Sequence, residues 1–198
     1  MTELDYLLRA ATTEDLPALC QFATETFPMA CPDYVTDDDI AAHCAKYFTV
    51  ANMQSHLDTD GHHLHLAVNS KQDIVGYILL IEGDGVDPEG YKQLHHYPAL
   101  GIDKLYVHGD FHGQGISTTL MKWAEAKARS NGYGCLWLAT NPQNKRAIRF
   151  YKNLDFLSSD AGHTTLAVPL TTTSSSKNRL LIPTNRQLHS KLKLITNG

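Results

Sequence analysis

The stretch that decides the fold of this chain is LYVHGDFHGQGISTTLMKWAEAKARSNGYGCLWLATNPQNKRAIRFYKNLDF, residues 105–156. An apolar run at 105–107 leads into the turn Gly113-Gln114-Gly115, and a helical pattern follows. A turn with little side-chain bulk between a strand and a helix leaves backbone N–H groups open at the positive end of the helix. Such a turn can hold a phosphate or a pyrophosphate.

The Gly-x-Gly turn alone leaves two interpretations open, a phosphate cradle and a plain strand-to-helix connection. It is not a Walker loop, because no Gly-Lys-Ser or Gly-Lys-Thr follows it. It is not a Rossmann fingerprint either, since the third glycine and the later ribose-binding acid are missing. A choice between the two interpretations therefore needs a second motif.

Length, charge and hydropathy exclude several classes of protein. The chain has 198 residues, which suits a single domain with a real core. A net charge of −4 gives no reason to bind nucleic acid. The longest apolar runs, at 78–81 and 136–139, are far too short to span a membrane, and the start MTELDYLL does not have the pattern of a signal peptide. We therefore expect a cytoplasmic protein that binds neither nucleic acid nor membranes.

The cysteines form no recognisable metal or redox motif. They contain no Cys-x-x-Cys pair and no zinc ligand spacing, and they are Cys20, Cys31, Cys44 and Cys135. The sequence shows no thiolate-activating motif around any of them. We therefore expect reduced and inert thiols rather than a catalytic cysteine.

The run HHLHLAVN, residues 62–69, resembles a metal cluster at first sight. Its leucines and its valine alternate with His63 and His65, however, as in a strand with one buried face. This pattern favours a half-buried strand with the two histidines and Ala67 on the other face. We therefore predict that the protein has no metal site.

Apolar periodicity predicts a chain of alternating helices and strands. The predicted strands are 6–10, 63–69, 74–81, 100–108, 135–140, 164–168 and 179–182. The predicted helices are one from 12 or 13, one from 36, and those at 49–57, 114–130 and 144–153. The order implies a mixed sheet flanked by helices, in which strands 100–108 and 135–140 run parallel.

The same periodicity assigns an inward face to each helix. These faces are Leu16, Leu19, Cys20, Ala23 and Phe27 in the first helix, Ile40, Cys44 and Tyr47 in the second, Val50, Met53 and Leu57 in the third, Ile116, Leu120, Trp123 and Lys127 in the fourth, and Ala147, Ile148, Tyr151 and Leu154 in the fifth. Residues 82–98 have no periodicity and are expected to form a long loop. We expect one domain over 1–185, a polar linker at 171–176 within it, and a loose tail at 186–198.

The second motif lies in the late helix and resembles the GNAT superfamily of acetyl-CoA-dependent N-acetyltransferases. The family pattern is matched in the strand, the loop and the helix, at Leu105, Tyr106, Val107, Gly113, Gly115, Ile116, Asn144, Ala147, Phe150, Tyr151, Leu154 and Phe156. Three positions depart from it: His112 replaces Arg or Gln, Ser117 replaces a Gly or Ala, and Asp155 replaces a Gly. The segments FPMACPDYVTDDDI, LYV and LWLATNPQN also resemble bacterial spermidine/spermine-type acetyltransferases.

The resemblance implies a fold and a cofactor site. The fold is α/β, with a central mixed, mostly antiparallel twisted sheet of about 6–7 strands and a parallel pair splayed apart at the cofactor. Acetyl-CoA would be the co-substrate, its pyrophosphate on the N–H groups of residues 113–118 and its pantetheine arm between the parallel strands. The implied cofactor residues are Leu105, Tyr106, Val107, His112, Gly113, Gln114, Gly115, Ile116, Ser117, Thr118, Asn144, Ala147 and Tyr151.

The resemblance also implies catalytic roles, each with a plainer alternative. Tyr151 would protonate the leaving thiolate, or is a core tyrosine, and Asn144 would bind pantetheine amides, or is a helix cap. The N–H near Val107 would stabilise the oxyanion. Asp103 would be the general base, or a solvated strand residue, and His95 and His96 are comparable candidates for the base.

Acidic residues suggest a cationic acceptor. They are Asp33, Asp37, Asp38 and Asp39 in the early helix region, and Glu82, Asp84, Asp87 and Glu89 in the long loop. Solvated acids are the equal alternative. We predict direct transfer of acetyl to a primary amine of a small, polyamine-like substrate in a ternary complex, by a protein that can form a homodimer. Peptide or protein N-terminal acetylation, a non-catalytic CoA-binding module and a nucleotide-binding protein remain as alternatives.

Overall fold

The computed structural model describes residues 6–32, 34–158 and 164–170. Its strands are β1 (Tyr6–Ala10), β2 (His62–Asn69), β3 (Ile74–Glu82), β4 (Ala99–Val107), β5 (Cys135–Thr140), β6 (Leu157–Ser158) and β7 (Thr164–Pro169). They form one seven-stranded sheet in the order β1-β2-β3-β4-β5-β7-β6. Every neighbouring pair is antiparallel except β4 and β5, which are parallel. The predicted mixed, mostly antiparallel sheet is confirmed.

The helices of the described residues are α1 (Leu16–Thr26), α2 (Asp37–Tyr47), α3 (Val50–Asp58), α4 (Pro88–Tyr91), α5 (Ile116–Ser130) and α6 (Lys145–Lys152). Short 3-10 turns lie at Thr13–Asp15, Phe27–Ala30 and Gly109–Phe111. Local sequence explains where α2 and α3 begin, because Thr36 and Thr49 each accept a hydrogen bond from the N–H three residues on. Both helices begin within one residue of the positions that the sequence predicts, 36 and 49.

Both faces of the sheet are covered. The helix α5 packs on one face, and α1 to α3 pack on the other. Within β3, Ile78 and Leu80 point to the α5 side, while Tyr77 and Leu79 point to the other side, and all four are fully buried. Burial on both faces explains why this strand reads as an unbroken apolar run rather than an alternating one.

Three predicted helix faces need correction. Tyr47 and Val50 are exposed, at 46% and 48%, so the inward faces of α2 and α3 are narrower than predicted. The core face of α5 instead consists of Ile116, Leu120, Met121, Ala124 and Ala128. Small alanines let this helix approach the sheet closely, which leaves Trp123 and Lys127 half-buried at its flank. Periodicity predicts which side of a helix is apolar, but not how deeply each residue of that side is buried.

The outer face of β2 is also more buried than predicted. Ala67 is fully buried under α5, and the ring of His65 stacks on Trp123 with 3.8 Å between the ring centroids. Burial lowers the pKa of His65 to about 4. Among the described residues, no group of three or more His, Cys, Asp or Glu side chains could hold a metal. No described helix is both long enough and apolar enough to cross a membrane.

Two further elements differ from the sequence prediction. The predicted long loop at 82–98 contains α4, whose first turn is capped by the Asp87 side chain accepting from the Glu89 N–H. The short strand β6 follows Asp155, which adopts a left-handed backbone with φ 63° where the family has glycine. The predicted strand at 179–182, the linker at 171–176 and the tail at 186–198 lie outside the described residues.

Candidate active site

The parallel strands β4 and β5 separate partway along their length. Their pairing runs from Ala99 opposite Cys135 to Ile102 opposite Leu138. At this point β4 carries a bulge, because Lys104 pairs with Leu79 and Ile102 with Leu80 of β3, which leaves Asp103 without a partner there. A bulge bends its strand and increases the local twist. The two strands therefore splay apart beyond residue 102.

The splay opens a cleft of about 270 Å³. Residues from β4, β5, α6 and the end of α1 line it, together with the loop before α5. They are Thr26, Met29, Ala30, Ile102, Asp103, Leu105, Tyr106, Val107, His112, Ser117, Leu138, Ala139, Thr140, Asn144, Arg146, Ala147, Phe150 and Tyr151. The structure thus brings most of the sequence-predicted site residues to one cleft.

The wall formed by Thr26, Met29 and Ala30 was not identified from the sequence. These residues lie on the last turn of α1 and the 3-10 turn that follows it. They belong to a segment far from 105–156 in the chain, and the family resemblance of FPMACPDYVTDDDI, which includes Met29 and Ala30, does not assign them to the cleft. Only the tertiary fold brings this turn against β4.

The glycine turn lies at the beginning of α5 and has a left-handed backbone. Gly113 has φ 80° and Gly115, the N-cap of α5, has φ 81°. A Cβ atom at either position would meet no other atom within 4 Å, so the space above the turn is open. Backbone conformation, rather than crowding, accounts for both glycines.

The turn presents backbone donors to that open space. Thr119 is the first residue whose N–H bonds inside the helix, to the Gly115 carbonyl at 2.9 Å. The N–H groups of Ile116, Ser117 and Thr118 precede this bond and point out of the helix end. The side chain of Ile116 packs into the core instead, so this residue can offer only its backbone. Such a helix end fits an anionic group such as a pyrophosphate.

His112 and Arg146 make a contact beside this turn. The Nη2 atom of Arg146 lies 2.8 Å from Nδ1 of His112, and Nε2 of His112 lies 3.1 Å from the Val107 carbonyl oxygen. The sequence motif does not identify Arg146, which follows Asn144 by two residues in α6. A signal exists in the basic run KRAIRFYK, but the run does not show which cation faces the cleft.

Asn144 caps α6, which was one of its two sequence interpretations. Its Oδ1 accepts a hydrogen bond from the Ala147 N–H at 3.0 Å. The capping bond fixes the side chain at the edge of the cleft, and no described residue accepts from its Nδ2 group. A role in binding pantetheine amides stays a prediction.

Tyr151 lies on α6 at the base of the cleft and is 9% exposed. Its ring is held between Phe150 and Phe156, at centroid distances of 5.2 and 5.7 Å. Burial is the main cause that raises its pKa well above the usual value, and Tyr106 adds to the effect. The phenol is therefore protonated at neutral pH, and no described side chain is hydrogen-bonded to its hydroxyl group.

Asp103, the bulged residue, lines the cleft and forms an ion pair with Lys104. Both side chains are about one-fifth exposed. Nearby, Nδ1 of His56 lies 3.0 Å from Nδ1 of His62. Burial lowers the pKa of both histidines, and the Asp103 charge partly opposes this. No pattern in the sequence marks these two histidines as neighbours of Asp103.

The other predicted base candidates lie elsewhere. Neither His95 nor His96 lines the cleft. The carbonyl of His96 accepts from the Sγ of Cys135, which begins β5, whereas the cleft opens toward the other end of that strand. These two histidines are therefore not brought to the cleft.

Four of the seven predicted acidic residues that the structure describes have local partners, and none of the seven lines the cleft. Asp39 is bonded by the Thr36 hydroxyl, and Asp87 caps α4. Glu82 lies 3.3 Å from His63, and Glu89 lies 2.6 Å from Lys92. Asp33 lies outside the described residues. The interpretation as local capping and surface charges accounts for this set.

The cysteines of the described residues are free thiols in unreactive surroundings. Cys44 and Cys135 are buried, while Cys20 and Cys31 are half-buried. Burial raises the pKa of all four thiols, in Cys135 to about 11. A thiol with a raised pKa is a poor nucleophile at neutral pH, in agreement with the predicted inert cysteines.

Sequence comparison finds relatives over the same residues. Residues 16–156 match the profile described as "Acetyltransferase (GNAT) family". An "uncharacterized N-acetyltransferase" of Mycobacterium tuberculosis is 34% identical over 142 residues, which cover 72% of this chain and 83% of that protein. An "uncharacterized N-acetyltransferase in pepI 3′ region" of Lactobacillus delbrueckii subsp. lactis is 25% identical over 142 residues, 70% of this chain and 76% of that protein.

Solved structures share the fold. The PaiA N-acetyltransferase of Thermoplasma acidophilum, in complex with coenzyme A, aligns with a TM-score of 0.68 at 17% identity, covering 82% of this chain and 96% of that chain. The ribosomal-protein-S18-alanine N-acetyltransferase of Escherichia coli aligns with a TM-score of 0.59 at 14% identity, covering 87% of this chain and 99% of that chain.

Proposed function

Because this chain belongs to the GNAT family and is an acyltransferase of the N-acetyltransferase type, we propose that it transfers acetyl from acetyl-CoA to a primary amine of a small acceptor. The observation that carries the proposal is the cleft between β4 and β5. It has open helix N–H groups beside it, a protonated tyrosine in its wall and a carboxylate at the bulge. A phosphate-bearing thioester and an amine could meet there.

The cofactor role of the loop and strands rests on fit. Acetyl-CoA, when bound, supplies an acetyl group activated as a thioester. The backbone of Gly113, Gly115 and Ser117 would hold the pyrophosphate, since the space above the turn is open. The splayed edges of β4 and β5 would accommodate the pantetheine arm, and the N–H near Val107 would orient the thioester carbonyl.

Two side chains would move protons. Tyr151 holds a proton on its buried hydroxyl and can donate it to a thiolate, because the pKa of a phenol exceeds that of a thiol. Asp103, which lines the cleft, would accept a proton from the acceptor ammonium, directly or through water. Raised thiol pKa values argue for direct attack rather than a cysteine-bound acyl group.

The acceptor is proposed to be a small, polyamine-like amine. The cleft carboxylate of Asp103 would attract its positive charge. A peptide N-terminus is the second candidate, because Met29 and Tyr34 are 49% and 69% exposed and Met29 lines the cleft, which gives an apolar surface beside it. The fold neighbour from E. coli is named a ribosomal-protein-S18-alanine N-acetyltransferase, which supports a protein acceptor as this second candidate. Cytoplasmic location and a homodimer remain predictions.

Two measurements on the full chain test the proposal. Calorimetry with acetyl-CoA should show binding at one site, and no comparable binding of ATP. A thiol-release assay should then show turnover with polyamines and little with peptides. Binding without release for any amine or peptide would support a non-catalytic module, and no binding of acetyl-CoA would contradict the proposal entirely.

A further inference from the structure

The contact between His112 and Arg146 fixes the protonation pattern of the histidine ring. A guanidinium group can only donate hydrogen bonds, so Nδ1 of His112 must accept from Arg146. Nε2 then carries the hydrogen, which it donates to the Val107 carbonyl oxygen. The neutral histidine thus links an arginine of α6 to the backbone of β4.

This link places a cation at the glycine turn, where the loop itself has none. His112, Ser117 and Arg146 all line the same cleft, and Ser117 lies in the first turn of α5. The open end of a helix carries only about half a unit of positive charge. A pyrophosphate carries more negative charge than such an end can balance, so a neighbouring full cation would add to its binding.

We propose that Arg146 is the residue whose positive charge binds the pyrophosphate of CoA, and that His112 is the positioning residue that aims it there. The inference rests on the proposed function. The family has Arg or Gln where this chain has His112. On this proposal the positive charge is not lost by that replacement, because Arg146 of α6 supplies it instead.

The choice of Arg146 over its neighbours follows from position. The helix α6 also carries Lys145, Arg149 and Lys152, yet none of these lines the cleft. No carboxylate of the described residues forms an ion pair with Arg146, so its charge is not already balanced. A guanidinium has five N–H donors, and the contact with His112 uses one of them. The others remain for a phosphate, which guanidinium groups bind in a two-bond geometry.

Calorimetry on the full chain, without acceptor, measures the effect directly. We compare wild type, Arg146→Gln and the control Arg149→Gln. The control removes an exposed cation that lies on the same helix, one turn after Arg146. The ligands are CoA, dephospho-CoA and pantetheine. We expect Arg146→Gln to weaken CoA and dephospho-CoA about equally, by roughly tenfold each, because hydrogen bonds to charged groups contribute that much. Pantetheine, which lacks the pyrophosphate, should be unaffected, and Arg149→Gln should match wild type.

His112 is tested by removal and by replacement. His112→Ala should weaken CoA several-fold, and adding it to Arg146→Gln should cause no further loss, because the histidine acts through the arginine. His112→Gln should restore binding, since a glutamine amide has both an acceptor for Arg146 and a donor for Val107. A purely structural role of the histidine would give additive losses instead.

Three outcomes are distinguishable. If wild type does not bind CoA, the proposed function fails. If wild type binds CoA and Arg146→Gln behaves like Arg149→Gln, this inference is overturned while the function stands. If Arg146→Gln weakens CoA but not dephospho-CoA, the arginine binds the 3′-phosphate and the inference is also overturned. Unchanged melting temperatures, expected because both arginines are exposed, would show that all variants are folded.

Discussion

The two halves of β4 have opposite environments. Residues 99–102 are buried and paired with β5, whereas residues 103–106 are half-buried and three of them, Asp103, Leu105 and Tyr106, line the cleft. The change occurs at the bulge of Asp103. One extra residue thus separates the part of the strand that pairs with β5 from the part that forms a wall of the site, without an intervening loop. We refer to residues 99–102 as the paired half and to 103–107 as the open half.

The largest effect is expected for chemistry beside the open half, at Tyr151 of α6. Tyr151→Phe removes only the hydroxyl that faces the cleft, so kcat should fall by about 10²- to 10⁴-fold, the usual range for a lost general acid. The affinity for acetyl-CoA should change little. Steady-state kinetics together with calorimetry check this. Tyr6→Phe is the control, since its hydroxyl bonds Thr119 away from the cleft; an unchanged kcat in Tyr151→Phe would remove the acid role.

The next effect is on cofactor binding beside the open half. Gly115→Val puts a branched residue at φ 81°, which will force the turn to change and should weaken acetyl-CoA by about 100-fold or more, beyond detection by calorimetry. Gly132→Val is a matched control, because Gly132 has φ 77°, equally open space and a position at the far end of α5. It should lose similar stability and keep its affinity. Intact binding in Gly115→Val would contradict the pyrophosphate cradle.

Stability should differ between the halves. Leu100→Ala creates a cavity in the paired half, where Leu100 is fully buried, and should lower the free energy of unfolding by about 2–5 kcal/mol. Leu105→Ala truncates a half-buried side chain of the open half and should cost about 1 kcal/mol, because less apolar area is lost. Urea unfolding measures both. Equal losses would mean that the two halves are equally packed.

The smallest effect is a pH dependence at His65, two strands away from the open half. His65 has a folded-state pKa of about 4, below its usual value near 6.5, so the unfolded chain binds the proton more readily. Its contribution is full above pH 6.5 and is lost as pH falls toward 4. His65→Phe keeps an aromatic ring against Trp123 and should flatten the decline of unfolding free energy over that window, without altering acetyl-CoA binding. An unchanged slope would show that other groups dominate.

The sequence predicts the parts of this fold that depend on local chemistry. The start of α2 at Thr36 and the glycine turn at 113–115 depend on residues within a few positions, so the sequence alone predicts them. Helix faces depend on more: Tyr47 has the spacing of a core residue and contacts the His43 ring, yet it is 46% exposed. The spacing of apolar residues predicts which way each side chain points from the helix axis, but not whether another element packs against it.

The sequence predicts the part of the candidate site that a single motif contains. It does not predict the parts that depend on how separate elements pack together. Tyr151 and the glycine turn share a single segment of the chain. The bulge at Asp103 depends on the register with β3, and the link from Arg146 to His112 depends on how α6 docks beside the loop. Such features arise from contacts between two elements of the fold. These contacts produce no recognisable pattern in the sequence of either element.

The short pairing of β4 with β5 also has a consequence for backbone hydrogen bonding. The sheet has two antiparallel parts, one formed by β1 to β4 and the other by β5, β7 and β6. Four residue pairs, at residues 99–102 of β4, join the two parts. Beyond these four pairs the facing edges of β4 and β5 are not paired with each other. The backbone N–H and C=O groups on those edges therefore need another partner, which an extended ligand lying between the strands can supply.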